Sequence, residues 1–161
     1  MTTSYAEISI VLGTRPEIIK MAPVVRECER RDVPYSILHT GQHYDEELNQ
    51  SFFQRLGLPE PTVNLGIGSG TQGKQTGEMI TGLESVLLER EPKAVLVQGD
   101  TNSVLAGAIA ASKLDTVLGH IEAGLRSYDR EMPEETNRRL TDHASDLLFA
   151  PTETAVETLR N

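Results

Sequence analysis

Short apolar runs alternate with longer amphipathic segments along the whole chain. The apolar runs predict buried strands at residues 8–12, 35–39, 62–65, 94–97, 116–121 and 147–150. Apolar residues at helical spacing predict helices at residues 16–30, 45–56, 75–91, 101–113, 134–144 and 152–159. Regular alternation of strand and helix is typical of an α/β fold, in which helices cover both faces of a parallel sheet. The 161 residues are enough for one such domain with its own core.

The composition argues against several classes of protein. With 24 acidic and 15 basic residues the net charge is −9, and binding to nucleic acid needs a basic face. No apolar run reaches the length of a membrane span, and the N-terminus lacks a signal-peptide pattern. The single cysteine, Cys28, allows no internal disulfide and no multi-cysteine metal site. We therefore expect a cytoplasmic protein with no metal, nucleic-acid or membrane partner.

Acidic residues follow the predicted strands at the edge where parallel sheets bind ligands. Asp100 follows the fourth strand, Glu122 comes directly after the fifth, and Glu134 opens the next helix. Each has a structural explanation as well, since Asp100 is a good N-cap and Glu134 suits a helix start and the pairing with Arg138 one turn on. Their common edge nevertheless predicts acid–base chemistry on a neutral, hydroxylated substrate.

A cation stands where the helix dipole disfavours it. Thr14 and Glu17 form the pattern of a capping box, so Arg15 falls in the first helical turn. This placement costs up to about 1 kcal/mol unless solvent screens the charge or an anion binds there. We therefore expect Arg15, together with Arg126 and Arg138, to bind the anionic part of the substrate.

Two further motifs are less specific. The segment GSGTQG at residues 68–73 matches the G-x-G-x-x-G pattern of dinucleotide-binding loops. It follows only a short strand and belongs to the third strand–helix unit, so a surface loop over residues 66–73 is the better interpretation. Gln42 and His43 follow the second strand, at the same edge as the acids.

Four motifs in this order closely resemble those of the non-hydrolysing UDP-N-acetylglucosamine 2-epimerases. They are GTRPEIIKMAP, QGDTNS, HIEAGLRS and MPEETNRRLTDH, with LLFAPTET after them. The resemblance runs from about Ile8 to the last residue. It implies that residues 1–161 are the N-terminal Rossmann-like half of a two-domain fold of the glycosyltransferase B type. We expect the second, nucleotide-binding domain to be absent from this chain.

The resemblance also implies an activity. Family members interconvert UDP-N-acetylglucosamine and UDP-N-acetylmannosamine by eliminating UDP and adding it back, with proton exchange at C2 and no cofactor. It implies a homodimer, a product used for cell-surface polysaccharides, and an isolated N-terminal half that is nearly inactive. Matched by motif, Asp100, Glu122 and Glu134 correspond to acid–base carboxylates, and Arg15 lies near the nucleotide phosphates. The weaker matches, all expected to line the cleft, are Lys20, Gln42, His43, His120, Arg126 and Arg138.

One departure concerns regulation. Many members of the family have Gln-His-Arg after the second strand, in a region that binds a regulatory substrate molecule. This chain has Gln42-His43-Tyr44-Asp45, without the arginine. Allosteric activation is therefore not an expectation for this protein.

Other functions remain open at this point. The same scaffold suits a hydrolysing epimerase that releases N-acetylmannosamine, or a glycosyltransferase. A different class is a non-catalytic module that binds a sugar nucleotide or mediates dimerisation.

Overall fold

A computed structural model of the chain describes residues 8–41 and 46–161. Its strands are β1 (Ile8–Leu12), β2 (Tyr35–His39), β3 (Val63–Asn64), β4 (Ala94–Gln98), β5 (Val117–Ile121) and β6 (Leu147–Phe149). Its helices are α1 (Arg15–Arg30), α2 (Glu46–Arg55), α3 (Gln72–Arg90), α4 (Asn102–Ser112), α5 (Pro133–Ala144) and α6 (Glu153–Arg160). Gln42 and His43, two of the predicted site residues, lie outside the described part.

Within the described residues, six parallel strands form one sheet in the order β3-β2-β1-β4-β5-β6. This topology confirms the predicted α/β class. Two predicted boundaries are wrong, because β3 is only Val63–Asn64 and α3 starts at Gln72 instead of residue 75. The helix starts early because the Thr71 carbonyl already accepts a helical hydrogen bond from the Gln75 amide at 2.9 Å. Across the described ranges, no helix combines the length and apolar character needed to cross a bilayer.

Two apolar clusters, one on each face of the sheet, form the core. One joins α1 and α2 to the sheet through residues such as Ile10, Ile18 and Phe53. The other joins α3 and α4 to the opposite face through residues such as Val11 and Leu83. Because side chains alternate along a strand, neighbours in β1 serve opposite clusters. Helix α4 lies between α3 and α5 and is buried on nearly all sides, which explains its small, apolar sequence.

The close approach of α4 to the sheet edge requires a glycine after β1. A Cβ added at Gly13 would lie 1.9 Å from Ser103 Oγ and 2.7 Å from Thr40 Oγ1. Those two hydroxyls are hydrogen-bonded to each other at 2.8 Å. The ends of β1 and β2 and the first turn of α4 are therefore packed in direct contact.

Glu17 links the start of α1 to the start of α4. Its Oε2 accepts the backbone N–H groups of Gly13 at 3.0 Å and Thr14 at 2.5 Å, as the capping box predicted. Its Oε1 accepts the Thr101 hydroxyl at 2.8 Å. The side chain is buried, and burial raises the pKa of the Glu17 carboxyl although these hydrogen bonds oppose the rise.

The first prediction concerns the contact at Gly13. The substitution Gly13→Ala should lower the free energy of unfolding by about 1–3 kcal/mol, because α4 must move away from the sheet. Urea denaturation followed by circular dichroism measures this change. Gly77→Ala is the matched control, since nothing lies within 4 Å of its added Cβ. In the middle of α3 that control should be neutral or stabilising by roughly 0.5–1 kcal/mol. Equal losses in both variants would contradict a close contact specific to Gly13.

The second prediction concerns the charge on Glu17. Because its folded-state pKa lies above the ordinary glutamate pKa of 4.5, the stability that the group contributes is complete below about pH 4.5 and is lost as the pH rises through the folded-state pKa. Glu17→Gln keeps an acceptor but cannot ionise, so its stability relative to the wild type should improve between pH 4 and pH 7.5. Urea denaturation of both proteins at several pH values, from about pH 4 to about pH 7.5, measures the difference in their free energies of unfolding.

Glu27→Gln on the same helix is the control for this series. The exposed Glu27 carboxyl pairs with Arg30 and Arg31, which lower its pKa to about 2. A lowered pKa contributes stability above the unfolded value, and that contribution disappears only as the pH falls toward about 2. The Glu27 variant should therefore not gain on the wild type as the pH rises. A pH-independent difference for the Glu17 variant would show that its buried carboxyl titrates normally.

Candidate functional site

The carboxyl ends of β1, β4 and β5 meet at one edge of the sheet. From β1 the chain continues to β2 on one side, whereas from β4 it continues to β5 on the other. Such a reversal opens a crevice that binds ligands in parallel α/β sheets. The predicted site residues that the structure describes lie at the ends of these strands, in the loops after them, or in the first two turns of α1 and α5.

Glu122 stands at the centre of this edge. It follows β5 with a left-handed backbone (φ 67°), which is unusual for a residue other than glycine. Lys20 of α1 donates to both carboxylate oxygens, at 2.9 Å to Oε1 and 3.0 Å to Oε2. Gln98, the last residue of β4, donates to Oε2 from its side-chain nitrogen at 2.6 Å. Two predicted residues, Lys20 and Glu122, are thus brought together with one that sequence reasoning missed.

Asp100 is paired with Arg138, so two further predicted residues meet. Arg138 also donates to Glu135 at 3.0 Å, and only 13% of its side chain is exposed. Glu135, which was not predicted, accepts four hydrogen bonds in total, two from Ser127 and one each from Arg138 and Arg139. Burial would raise the pKa of the Glu135 carboxyl, but these partners outweigh burial and lower it.

Glu134 differs from its neighbour. It is half-buried, and in the described part of the chain its carboxylate has no hydrogen bond or ion pair. The expected pair between Glu134 and Arg138 is wrong, because Arg138 turns inward to Glu135 and Asp100. Asp100, Glu122 and Glu134 occupy the same edge, yet no hydrogen bond among the described residues joins one of them to another.

His120 lies beneath this edge and is fully buried. One ring nitrogen, Nδ1, is 2.7 Å from Asp142 Oδ1, and the other, Nε2, is 2.8 Å from the Gly99 carbonyl oxygen. A carbonyl only accepts, so Nε2–H donates to Gly99. With both nitrogens occupied, His120 in this structure braces the loop that carries Asp100 and does not face the open crevice, where we expected it.

Arg126 belongs to the same internal cluster. Its guanidinium donates to Asp142 Oδ2 at 2.6 Å, and 10% of the side chain is exposed. Asp142 also accepts the Gly124 amide at 3.2 Å. Burial would raise the pKa of the Asp142 carboxyl, but His120 and Arg126 outweigh burial and lower it. Arg126 therefore fixes the start of the loop after β5.

Arg15 is exposed at the first position of α1. Its guanidinium carbon lies 5.9 Å from the centre of the Phe52 ring. In the described ranges no carboxylate pairs with it, so no internal acid compensates its position in the helix dipole.

Four functional positions were missed from the sequence: Glu17, Gln98, Glu135 and Asp142. Glu17 was recognised only as a cap, and Gln98 only as part of the QGD motif. A polar residue that closes an apolar strand was the available signal for Gln98. No local signal separates Glu135 from Glu134, because both suit the first turn of a helix.

The arrangement provides carboxylates beside cations. In the described residues, no group of three or more histidine, cysteine, aspartate and glutamate side chains is placed to hold a metal ion. Carboxylates beside cations, such as Glu122 beside Lys20, can move protons and neutralise an anion.

Comparison with known proteins gives consistent matches. The family model described as UDP-N-acetylglucosamine 2-epimerase matches residues 26–161. The UDP-N-acetylglucosamine 2-epimerase of Methanococcus maripaludis is 60% identical over 153 residues, which are 95% of this chain and 41% of the relative. The UDP-2,3-diacetamido-2,3-dideoxy-D-glucuronate 2-epimerase of Pseudomonas aeruginosa is 49% identical over 156 residues, which are 96% of this chain and 44% of the relative.

A solved structure matches as well. The crystal structure of Methanocaldococcus jannaschii UDP-GlcNAc 2-epimerase in complex with UDP-GlcNAc and UDP has a TM-score of 0.92 and 57% identity, and the match covers 95% of this chain and 42% of that one. The chain thus spans about two-fifths of the length of these relatives. The family match covers most of the chain and confirms the resemblance seen in its motifs: the chain belongs to the UDP-N-acetylglucosamine 2-epimerase family.

Proposed function

We propose that this chain is the N-terminal part of an enzyme that interconverts UDP-N-acetylglucosamine and UDP-N-acetylmannosamine without hydrolysing them. The observation that carries the proposal is the Glu122 carboxylate, held at the switch point of the sheet by Lys20 and Gln98. The names of the relatives support it, as does the solved relative that holds UDP-GlcNAc and UDP. The chain's share of its relatives' length supports the view that further residues complete the cleft.

The proposed reaction inverts one carbon and keeps every heavy atom of the nucleotide sugar, whereas the hydrogen at C2 is exchanged. A carboxylate removes the C2 proton while the C1–O bond breaks and its electron pair leaves with UDP, which gives 2-acetamidoglucal. UDP then forms the C1–O bond again as a carboxylic acid delivers a proton to the opposite face of C2. The C2 hydrogen is barely acidic, so the base and the departing diphosphate must be held in one dry cleft. No step requires a cofactor.

We assign the proton transfers jointly to Asp100, Glu122 and Glu134. Glu122 is 26% exposed and keeps an opening to the crevice. Asp100 is 34% exposed and is oriented by Arg138. Glu134 is half-buried at the first turn of α5. Arg15 and Lys20 are the proposed contacts to the diphosphate.

Several expectations from the resemblance stay predictions. They are the second Rossmann-like domain with most of the UDP contacts, the two-domain glycosyltransferase B architecture, the homodimer, and the roles of Gln42 and His43. The relative from Pseudomonas aeruginosa acts, by its name, on a 2,3-diacetamido glucuronate. Its 49% identity makes that nucleotide sugar a second candidate substrate.

The third prediction tests the activity itself. Proton NMR in D₂O should show conversion of UDP-N-acetylglucosamine to UDP-N-acetylmannosamine, with deuterium at C2, by a longer form that includes the rest of the relatives' length. The 161-residue chain should be inactive, because it supplies only part of the cleft. Free N-acetylmannosamine would indicate a hydrolysing enzyme, and turnover of only the diacetamido glucuronate would change the substrate. No reaction in either form, with binding retained, would favour a non-catalytic module.

The fourth prediction tests Glu122 in the longer form. Glu122→Gln removes the proton-accepting carboxylate, so deuterium incorporation at C2 should fall by roughly 10²- to 10⁴-fold. Glu89→Gln, on the exposed face of α3, is the matched control and should retain the wild-type rate. Wild-type exchange in the Glu122 variant would exclude this carboxylate from proton transfer.

A further inference from the structure

We propose that Gln98 is a positioning residue that keeps the Glu122 carboxylate oriented when Lys20 turns toward an anionic ligand. The inference rests on the proposed function. It assigns a role to Gln98, the residue of the QGD motif that neither the sequence nor the family match explained. Four observations support it: the hydrogen bond, the backbone of Glu122, the exposure of Lys20, and the burial of Gln98.

The hydrogen bond between Gln98 and Glu122 has a defined direction. Gln98 ends β4 and pairs in register with Ile121 of β5, so its side chain lies next to Glu122. Nε2 is 2.6 Å from Glu122 Oε2. An ionised carboxylate accepts but does not donate, so the amide must present its nitrogen and not its oxygen. A hydrogen bond to a charged acceptor of this kind is stronger than one between neutral groups.

The backbone fixes where Glu122 starts but not where its carboxylate points. The neighbouring amides bind across the sheet, Gly99 N–H to Ile121 O at 3.1 Å and Ala123 N–H to Phe149 O at 3.2 Å. These bonds hold Glu122 in a left-handed conformation (φ 67°), which is unfavourable for a residue other than glycine. Beyond Cβ, the described contacts of its side chain are those with Lys20 and Gln98.

The two partners of Glu122 differ in burial and in charge. The Lys20 side chain is 49% exposed, and an ion pair of this kind adds little to stability because solvent screens it. The Lys20 ammonium is attracted to an incoming diphosphate as well as to the Glu122 carboxylate. Gln98 is 2% exposed and neutral, so an anion does not compete for it. Gln98 therefore maintains the direction of the carboxylate without adding a charge beside it.

Kinetics of the longer form test this assignment. Gln98→Met keeps the length of the side chain but removes the donor. We expect kcat to fall at least about tenfold with KM changed less than about threefold, because a positioned base acts in the transition state. Ser36→Ala is the matched control, since it removes a buried 3.0 Å hydrogen bond to Ser9 in the same sheet. A kcat no lower than that of the control, or a rise in KM alone, would overturn the inference.

A second variant adds a readout that a purely structural role would not change. Gln98→Glu can donate to Glu122 only while the introduced carboxylic acid is protonated. Its kcat should therefore recover toward the wild-type value at acidic pH, whereas Gln98→Met should show no such recovery. An unchanged pH profile in Gln98→Glu would contradict the role of the donor.

NMR of the 161-residue chain separates this inference from the proposed function. A Gln98 side-chain N–H proton should resonate downfield, as expected for a short bond to a carboxylate, and it should move upfield in Glu122→Met. Glu134→Met should leave it unchanged. If the wild-type longer form fails to epimerise while this signature is present, the proposed function fails and the contact stands. If the signature is absent, the inference fails whatever the activity.

Discussion

The buried carboxylate of Glu17 holds together the two helix starts on which the crevice depends. It ties the loop after β1 to Thr101, at the start of α4, across the point where the winding of the sheet reverses. A buried charge costs free energy unless hydrogen bonds compensate for its lost hydration. Here three donors from two segments meet it, so the carboxylate is accommodated only when both segments are in place. Its cost therefore favours one arrangement of this edge.

The same principle recurs on the other side of the edge. Glu135 and Asp142 are almost fully buried, and each is bound from two elements. Glu135 accepts from Ser127 in the loop after β5 and from Arg138 and Arg139 of α5. Asp142 accepts from Gly124 and Arg126 in that loop and contacts His120 of β5. Close to each of these buried carboxylates lies an acidic residue with access to solvent. Glu134 adjoins Glu135 in sequence, and Asp100 lies in the loop that His120 connects to Asp142. The buried acids determine the geometry, and the more exposed acids remain available for chemistry.

The sequence predicted the sheet and its helices well, because most of them follow the rule that apolar residues are buried. It could not predict the inward face of α5, whose buried residues are the polar Glu135, Asn137, Thr141 and Asp142. On the same helix Leu140 is 49% exposed. A hydrophobic pattern cannot locate a buried face that is polar, so the partner of Arg138 was assigned to Glu134. The role of His120 was missed for a different reason: its partners Gly99 and Asp142 are distant in sequence, so no local pattern joins them to it.

Burial also divides the four predicted cations by function. The side chains of Arg126 and Arg138 are only 10% and 13% exposed, and each is bound to an internal carboxylate. Their charges are already compensated, so a ligand would have to displace an existing ion pair to use them. Arg15 is exposed without a carboxylate partner in the described part of the chain, and Lys20 has only a half-exposed pair. On the proposed function, the diphosphate is therefore attracted to the first two turns of α1. The helix dipole favours an anion there as well. On the proposed function, a bound diphosphate neutralises Arg15, and this explains why a cation is tolerated at the start of this helix.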